Sequence, residues 1–508
     1  MTRRACAGWF GAACSLALVL GSIAARAAAG EPAGQPAGQP AGGDQSLEKR
    51  VRQLEKELSE LKEAGSGAQA GRSEPGGVPA GEKRSNLFAP LSERIEVTGE
   101  VRARGEYRKV TDYRTDNGID GDASFTLLRT RLAVDARVNG WLRGYVQFQD
   151  SRTFGEEYST TADNRSSFTN RDTGVDLHQG YFDAALGGFL GGLPLTLRVG
   201  RQEMQFGSGR LVADCAWGNA GRSFDGARLI LKDGPWDASL FATTIKEPCY
   251  AAGALNYTGQ DQSFGGLHVT YAGLPGHTLD LYSYYRDFAD GSFRGEDDPA
   301  RYGDRKDVTS GARVLGRIGP VDYEGEAALQ VGRYAYDDEL AWMAVGRAGY
   351  NFEGLPWKPR LGLEYDFASG DGDPDDGERG GFDDLYGLRH SVLGIADYTG
   401  RSNLHDFVAQ AAVKPLQGLT IGADYHYYLL AEKKDAWRAC DLSAVRQDPT
   451  GGSGDRLGSE VDLQASYKLK NLDLAAGGAY FMAGDYVKTT TGRDRDAAWL
   501  FLSAAVRF

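Results

Sequence analysis

The chain has 508 residues, with 25 tyrosines, 21 phenylalanines and 70 glycines but only five cysteines, four methionines and six histidines. A formal net charge of −13 and the lack of any basic block exclude a nucleic-acid binder. No window holds the roughly 18 uninterrupted apolar residues of a mature membrane helix.

At the N-terminus, Arg3 and Arg4 precede an apolar run from Ala5 to Ala25, and Ala25-Arg26-Ala27 supplies small residues for cleavage. Residues 1–27 are therefore expected to be an export signal; Cys14 lacks the leucine of a lipoprotein box. Cleavage would leave Cys215, Cys249 and Cys440, and an odd count in an oxidising compartment permits one disulfide and one spare thiol. Cys215 with Cys249 is the favoured pair because both fall in neighbouring long loops; three isolated thiols are the alternative. No CxxC or HExxH accompanies them, so no metal or other cofactor is expected.

Residues 28–46 repeat PAGQ, a composition that cannot form a core and behaves as an extended linker. Over residues 47–64, Leu47, Val51, Leu54, Leu58 and Leu61 recur at spacings of 4, 3, 4 and 3, flanked by Glu48, Lys49, Glu55 and Lys56. This is the seam of a short coiled coil. It either joins three copies into a homotrimer or serves as a solvated spacer. Residues 65–94 form a second linker.

From Ile95 the apolar period changes to 2 and stays there to the end. Ile95, Val97, Val101 and Ala103 alternate with Glu96, Arg102 and Arg104. Leu128, Leu132 and Val134 alternate with Arg129, Arg131 and Asp135. Leu361, Leu363, Tyr365 and Phe367 alternate with Arg360, Glu364 and Asp366. Val461, Leu463 and Ala465 alternate with Glu460, Asp462 and Gln464. Each is a half-buried strand. Short turns such as Asn139-Gly140, Gly319-Pro320 and Lys470-Asn471 alternate with long loops such as 151–174, 207–221, 246–262, 370–403 and 431–457.

Strands of ten residues or more match a tilted bilayer span. Short turns at one end and long loops at the other are the habit of outer-membrane barrels. The chain also stops on a strand whose Leu500, Leu502, Val506 and Phe508 share a face. An open amphipathic sheet in lipid would leave two edges of unpaired N–H and C=O groups, each costing several kcal/mol, so the sheet must close. Residues 95–508 are thus predicted to form a closed antiparallel transmembrane β-barrel of about 18 strands in the outer membrane of a Gram-negative-type bacterium.

Within it, Leu127 to Leu132, Gln147 to Arg152, Gly200-Arg201-Gln202, Gly207 to Leu211 with Arg210, Trp217 and Arg222-Ser223-Phe224-Asp225-Gly226 follow in order. Phe382 to Tyr386, His390, Gly394, Asp397 and Asn403 to Asp406 come later. Taken together, these motifs resemble the alginate-export family of outer-membrane barrels. The resemblance implies a channel through which an acidic polysaccharide leaves the periplasm, with outer-membrane lipid around it and periplasmic secretion components as partners. The coiled coil departs from that pattern and looks like the extension of some trimeric porins.

Alternation places Arg102, Arg104, Arg129, Arg131, Arg198 and Arg228 on the lumenal face of early strands and Glu364 and Asp366 on that of later ones. The basic wall would pass carboxylates along a ladder of guanidinium groups; mutual pairing of opposite charges across the pore is the alternative. Leu195, Leu197 and Val199 are apolar at odd positions, Met204 and Phe206 at even ones. A β-bulge at or just after Gly200 is therefore expected, turning Arg201 into the lumen with Glu203. The 151–174 and 370–403 loops are the candidates to fold inward, and Trp217 is carried to the mouth. The acidic run 370–376 lacks the Gly and Glu of a calcium loop and reads as solvated. An anion-selective trimeric porin and a rim-acting barrel enzyme are the competing functions; for the enzyme no catalytic motif is present.

Overall fold

The computed structural model describes residues 94–110, 113, 121–155, 174–187, 192–246, 262–296, 301–373, 375–492 and 494–508. The expected signal, linkers and coiled coil lie outside the described residues apart from Arg94, as does Cys249. Eighteen long strands build one antiparallel barrel. In chain order they are β1 (Ile95–Val110), β2 (Gly121–Arg137), β3 (Leu142–Gly155), β4 (Gly174–Ala185), β5 (Leu195–Gln202) and β6 (Ser223–Asp233). Next come β7 (Trp236–Lys246), β8 (Gln262–Leu274), β9 (His277–Arg294), β10 (Tyr302–Ile318), β11 (Val321–Tyr334) and β12 (Asp337–Asn351). The wall is completed by β13 (Arg360–Ala368), β14 (Leu404–Leu416), β15 (Leu419–Leu429), β16 (Arg456–Leu469), β17 (Leu472–Ala483) and β18 (Ala497–Arg507). Closure is made by β1 against β18, from Glu100 opposite Arg507 to Lys109 opposite Ala498. That pairing satisfies the two edges an open sheet would expose to lipid.

The faces sort by chemistry. Val97, Leu132, Leu240, Leu281, Leu340, Leu363 and Leu463 stand exposed on the outside, where lipid is their solvent. Their alternates are polar, yet Arg102, Arg104, Arg129, Glu324, Glu364 and Asp366 are all buried. A barrel of this size ordinarily encloses water, so something covers these inward charges. The cover is the chain itself. Because β5 holds only eight residues while β9 holds eighteen, the chain leaves the wall early at Gln202 and enters the lumen.

Residues 203–222 and 369–403 fill the middle of the barrel. Met204, Phe206, Leu211 and Val212 of the first loop join Phe382, Leu385 and Tyr386 of the second in one apolar cluster against Phe224, Phe241, Phe264 and Tyr284 of the wall. Residues 430–455, with a small hairpin pairing Trp437–Arg438 to Ala444–Arg446, add a second cluster with Tyr428, Phe481 and α1 (Asp485–Thr491). Residues 203–222 thus fill the lumen beside 369–403, and most of the other inward candidate, residues 156–173 of the 151–174 loop, lies outside the described residues.

The structure moves the expected bulge by one strand. Both ladders of β5 run without a register shift past Gly200, whereas β3–β4 shifts at Gln147/Phe148, leaving His178 as the extra residue. Parity along β5 is consequently intact, and Arg201 shares the outward face of Leu197 and Val199. There it forms a bidentate ion pair, 2.7 Å at both contacts, with Asp225 on the outward face of β6. Arg201 is thus corrected from a lumenal residue to an outer-face one. Two motif glycines, Gly200 and Gly226, stand opposite each other just beneath this pair. Gly200 has φ +131°, and a Cβ there would strike the Gly180 carbonyl oxygen. This close strand approach is what requires glycine.

Candidate functional site

The first loop crosses the lumen from a basic wall to an acidic one, and it meets each with the opposite polarity. On the basic side it offers backbone carbonyls. Arg102 donates to the oxygens of Ala216 (2.9 Å) and Gly218 (3.0 Å), and Arg129 donates to the same two. Arg104 donates to the Trp217 oxygen (2.7 Å), while Gln149 and Ser151 of β3 take those of Ala220 and Asn219. Successive carbonyls of a tight loop therefore fill the donors of three neighbouring strands. Charge-assisted bonds of this kind are the strong ones.

On the acidic side the loop offers Arg210. Its guanidinium binds Glu324 of β11 and Glu364 of β13 (2.9 Å), with Glu326 at 3.5 Å. All four groups are buried. Burial pulls the Arg210 pKa down, but Glu324 and Glu364 outweigh it and hold it above its ordinary value, so this cation stays charged at any working pH. Gly207, with φ +55°, lets the chain turn under Arg313 of β10 before Arg210 is presented.

The second loop is docked in the same manner. Asp383 accepts from Arg286 of β9 (3.0 Å) and Arg305 of β10 (2.5 Å). Burial opposes its ionisation, but the two guanidinium groups hold its pKa far below the carboxylate range. Arg401 pairs with Asp366 of β13 (2.7 Å), and Arg389 binds Asp384 within the loop. The backbone N–H groups of Ile395 and Ala396 donate to Asp462 (3.1 Å) and Glu460 (2.9 Å) of β16.

The two loops are also tied to each other. Val212 and Tyr386 form a parallel bridge, the Ala213 N–H donates to the Tyr386 oxygen (3.1 Å), and Arg222 donates to that same oxygen. Trp217 is not at the mouth but inside. Its ring stacks on His390 at 4.3 Å, Arg104 lies 4.0 Å over it, and Trp499 and Phe501 meet it edge-on. His390 is held by Asp397 (2.9 Å). Asn403, at the end of the second loop, accepts the Glu432 N–H (2.7 Å) and donates to the Glu432 and Ala436 oxygens, which fastens the third segment. Trp499 faces inward, donating to Glu106 (2.9 Å), rather than outward to the membrane interface.

The remaining expected residues fall around this assembly. Glu203 binds His178 (2.6 Å), Gln179 (3.0 Å) and Arg131 (3.2 Å) where the first loop leaves β5. Burial works against its charge, and the His178 bond with Arg131 still keeps its pKa below the usual value. Gln202 and Phe224 are fully buried beside it. Arg198 pairs with Asp183 (2.7 Å) nearer the short turns, and Arg228 lies opposite Arg198. Cys215 and Cys440 are buried, and burial pushes the Cys440 thiol pKa well up. The Cys215–Cys249 pairing reaches outside the described residues. Among the described residues no group of three His, Cys, Asp or Glu side chains could hold a metal ion.

Arg129, Gln149, Ser151, Arg210 and Asp383 place several of the sequence motifs at the loop-to-wall contacts, and the family model for alginate export matches residues 93–501. The chain belongs to that family. It is an outer-membrane channel, not an enzyme, and it resides in the outer membrane of a Gram-negative bacterium.

Among solved structures, OccAB2 of Acinetobacter baumannii is 12% identical with a TM-score of 0.53, covering 83% of this chain and 100% of its own. OpdO of Pseudomonas aeruginosa is 13% identical with a TM-score of 0.53, covering 82% and 97%. OpdQ of the same organism is 11% identical with a TM-score of 0.51, covering 82% and 98%. At these identities they share the fold alone. No curated protein matches the sequence.

What the motifs missed is how they act. Arg210, Arg222, Trp217, His390 and Asn403 are the joints between loops, and Arg201 with Asp225 is a staple between strands. The acceptors that the first loop brings to Arg102, Arg104 and Arg129 are main-chain carbonyls, which no residue type announces.

Proposed function

We propose that this alginate-export-family channel passes an anionic polysaccharide or oligosaccharide from the periplasm outward. One observation supports this reading best. Arg210 and Arg401 of the loops neutralise carboxylates of the acidic wall, whereas the loop meets Arg102, Arg104 and Arg129 with neutral carbonyls only, the carboxylates beside Arg104 and Arg129 being the wall's own Glu106 and Glu100. Docking the loops therefore removes negative charge from the acidic wall while adding no counter-charge to Arg102, Arg104 and Arg129. A water-filled passage beside that surface concentrates anions and repels cations. Each exposed guanidinium contact is weak enough to release its carboxylate to the next.

The loop assembly acts as the gate, and polymer passage requires its displacement from one wall. Planar-bilayer recordings of the full-length protein test the reading. A current that prefers anions and is blocked by a polyuronate but not by a neutral glucan of equal length is the expected result. An ion current indifferent to polyuronate overturns it and favours a general porin. Residues 47–64 are proposed to serve as a trimerising stalk. An unchanged molar mass in detergent after their deletion removes that part.

A further inference from the structure

On the short-turn side of the loop assembly, the lumenal face of β3–β6 carries a polar group that loop docking does not use. Tyr145 and Tyr181 stand directly opposite each other in the β3–β4 ladder, with ring centroids 5.1 Å apart. The Arg198 guanidinium lies 3.9 Å from the Tyr181 ring centroid. Asp183 holds both Arg198 (2.7 Å) and Arg143 (2.8 Å), and Asp135 holds Arg143 again (2.8 Å). These side chains are part-exposed to the lumen, Arg143 at 31% and Arg198 at 18%.

Arg228 breaks the balance of this group. It sits directly across the β5–β6 ladder from Arg198. Among the described residues its hydrogen bonds go to the Ser239 hydroxyl, from Nε at 3.1 Å and from a terminal nitrogen at 2.8 Å, and it makes no ion pair. Phe206 of the crossing loop covers it at 5.0 Å as an apolar ceiling. Three cations (Arg143, Arg198 and Arg228) thus face Asp135 and Asp183 on one patch, and the next carboxylate along, Asp237, is engaged by Lys232 at 3.2 Å. Like charges directly opposite in a ladder are destabilising and ask for an anion between them. The neighbouring Tyr145, Tyr181 and Gln147 present hydroxyl and amide groups in a row leading away from the arginines.

We propose that Arg228 and Arg198, with the phenol groups of Tyr145 and Tyr181, form a binding subsite for one carboxylated sugar ring in the short-turn half of the lumen. The carboxylate lies between the two guanidinium groups and the ring hydroxyls bond the phenols. The proposal rests on the anionic-polysaccharide reading and adds the place where the chain is first held before it meets the gate. It needs no contribution from Arg102, Arg104, Arg129 or Arg210, which the loops already occupy.

Isothermal titration of the full-length protein in detergent with hexagalacturonate, and separately with maltohexaose, tests it. Wild type is expected to bind the uronate in preference to the glucan. Arg228→Gln is expected to weaken uronate binding about tenfold, the loss of one charge-assisted contact, without changing the weak response to maltohexaose. Arg228→Lys should recover part of the loss. Tyr181→Phe, which keeps the stacked ring, serves as a second variant should Arg228→Gln misfold, and it should weaken binding about threefold. Wild-type uronate binding that neither variant alters overturns the subsite while leaving the transport reading intact. A wild-type protein that does not distinguish the two oligosaccharides overturns both.

Discussion

Replacing Arg210 by alanine is expected to free the crossing loop from the acidic wall. The guanidinium is 2% exposed and binds Glu324 and Glu364, with Glu326 at the margin. Removing one partner of a buried ion pair costs about 3–5 kcal/mol, because the remaining charge is left uncompensated. The three carboxylates do not suffer equally. Glu324 keeps Arg313 and Arg347, both at 2.8 Å, whereas among the described residues the only ion-pair partner of Glu364 is Arg210. The cost therefore falls chiefly on Glu364, and about 3 kcal/mol is the sounder figure. At about 1.4 kcal/mol per tenfold, the undocked loop becomes about a hundredfold more populated. Single-channel recording should show this as longer or more frequent openings, and a cysteine introduced at Ser208 should react faster with a soluble thiol reagent. Arg210→Lys, a point charge that can satisfy one carboxylate but not a fork, should fall between. Unchanged openings and unchanged thiol reactivity in Arg210→Ala would refute the idea that this contact latches the loop.

Arg201→Ala should leave ion selectivity unaltered, since its pair with Asp225 faces outward; a shifted reversal potential counts against the outward placement. Gly200→Ala should prevent barrel assembly, seen as loss of the compact, heat-modifiable band on unheated SDS gels, because the added Cβ meets the β4 backbone. Burial, then the neighbouring Asp371 carboxyl, raises the Glu296 pKa to about 9. Its stabilising contribution is therefore complete below about pH 4.3 and is lost as pH rises toward 9; the melting-temperature gap between wild type and Glu296→Gln should move in favour of the variant over that range, and a gap independent of pH contradicts the pairing. Asp383 behaves in the opposite sense. Its depressed pKa gives stability that is present above about pH 4 and lost only under stronger acid, so anion conductance measured at pH 5 and pH 7 should show the second loop equally docked.

Much of the wall was legible from residues alone, because a strand writes its orientation locally. Val97 and Val101 outward with Arg102 and Arg104 inward follow from a period of two, and lipid on one side makes that period strict. Arg201 shows where this fails. Apolar parity along 195–206 changes because the strand ends at Gln202 and the chain turns inward, not because a bulge sits at Gly200. The actual bulge belongs to β4, at His178, where no parity argument made on β5 can see it. Trp499 shows a related limit: an aromatic near a strand end suits a membrane girdle, but here the lumen is filled with protein and offers it Trp217 and Glu106 instead.

By itself, then, the sequence determined a closed barrel, its two faces and the order of the motifs, since hydrophobic alternation and the need to satisfy every backbone group in lipid are properties of the chain's own residues. Only the tertiary structure decided that the 203–222 loop crosses the lumen, that its carbonyls meet Arg102, Arg104 and Arg129, and that its Arg210 meets Glu324 and Glu364. The physical reason is one of range. A strand's face is set by its immediate neighbours, whereas docking a loop depends on charges more than a hundred residues apart in the chain, which only closure of the barrel brings within hydrogen-bonding distance.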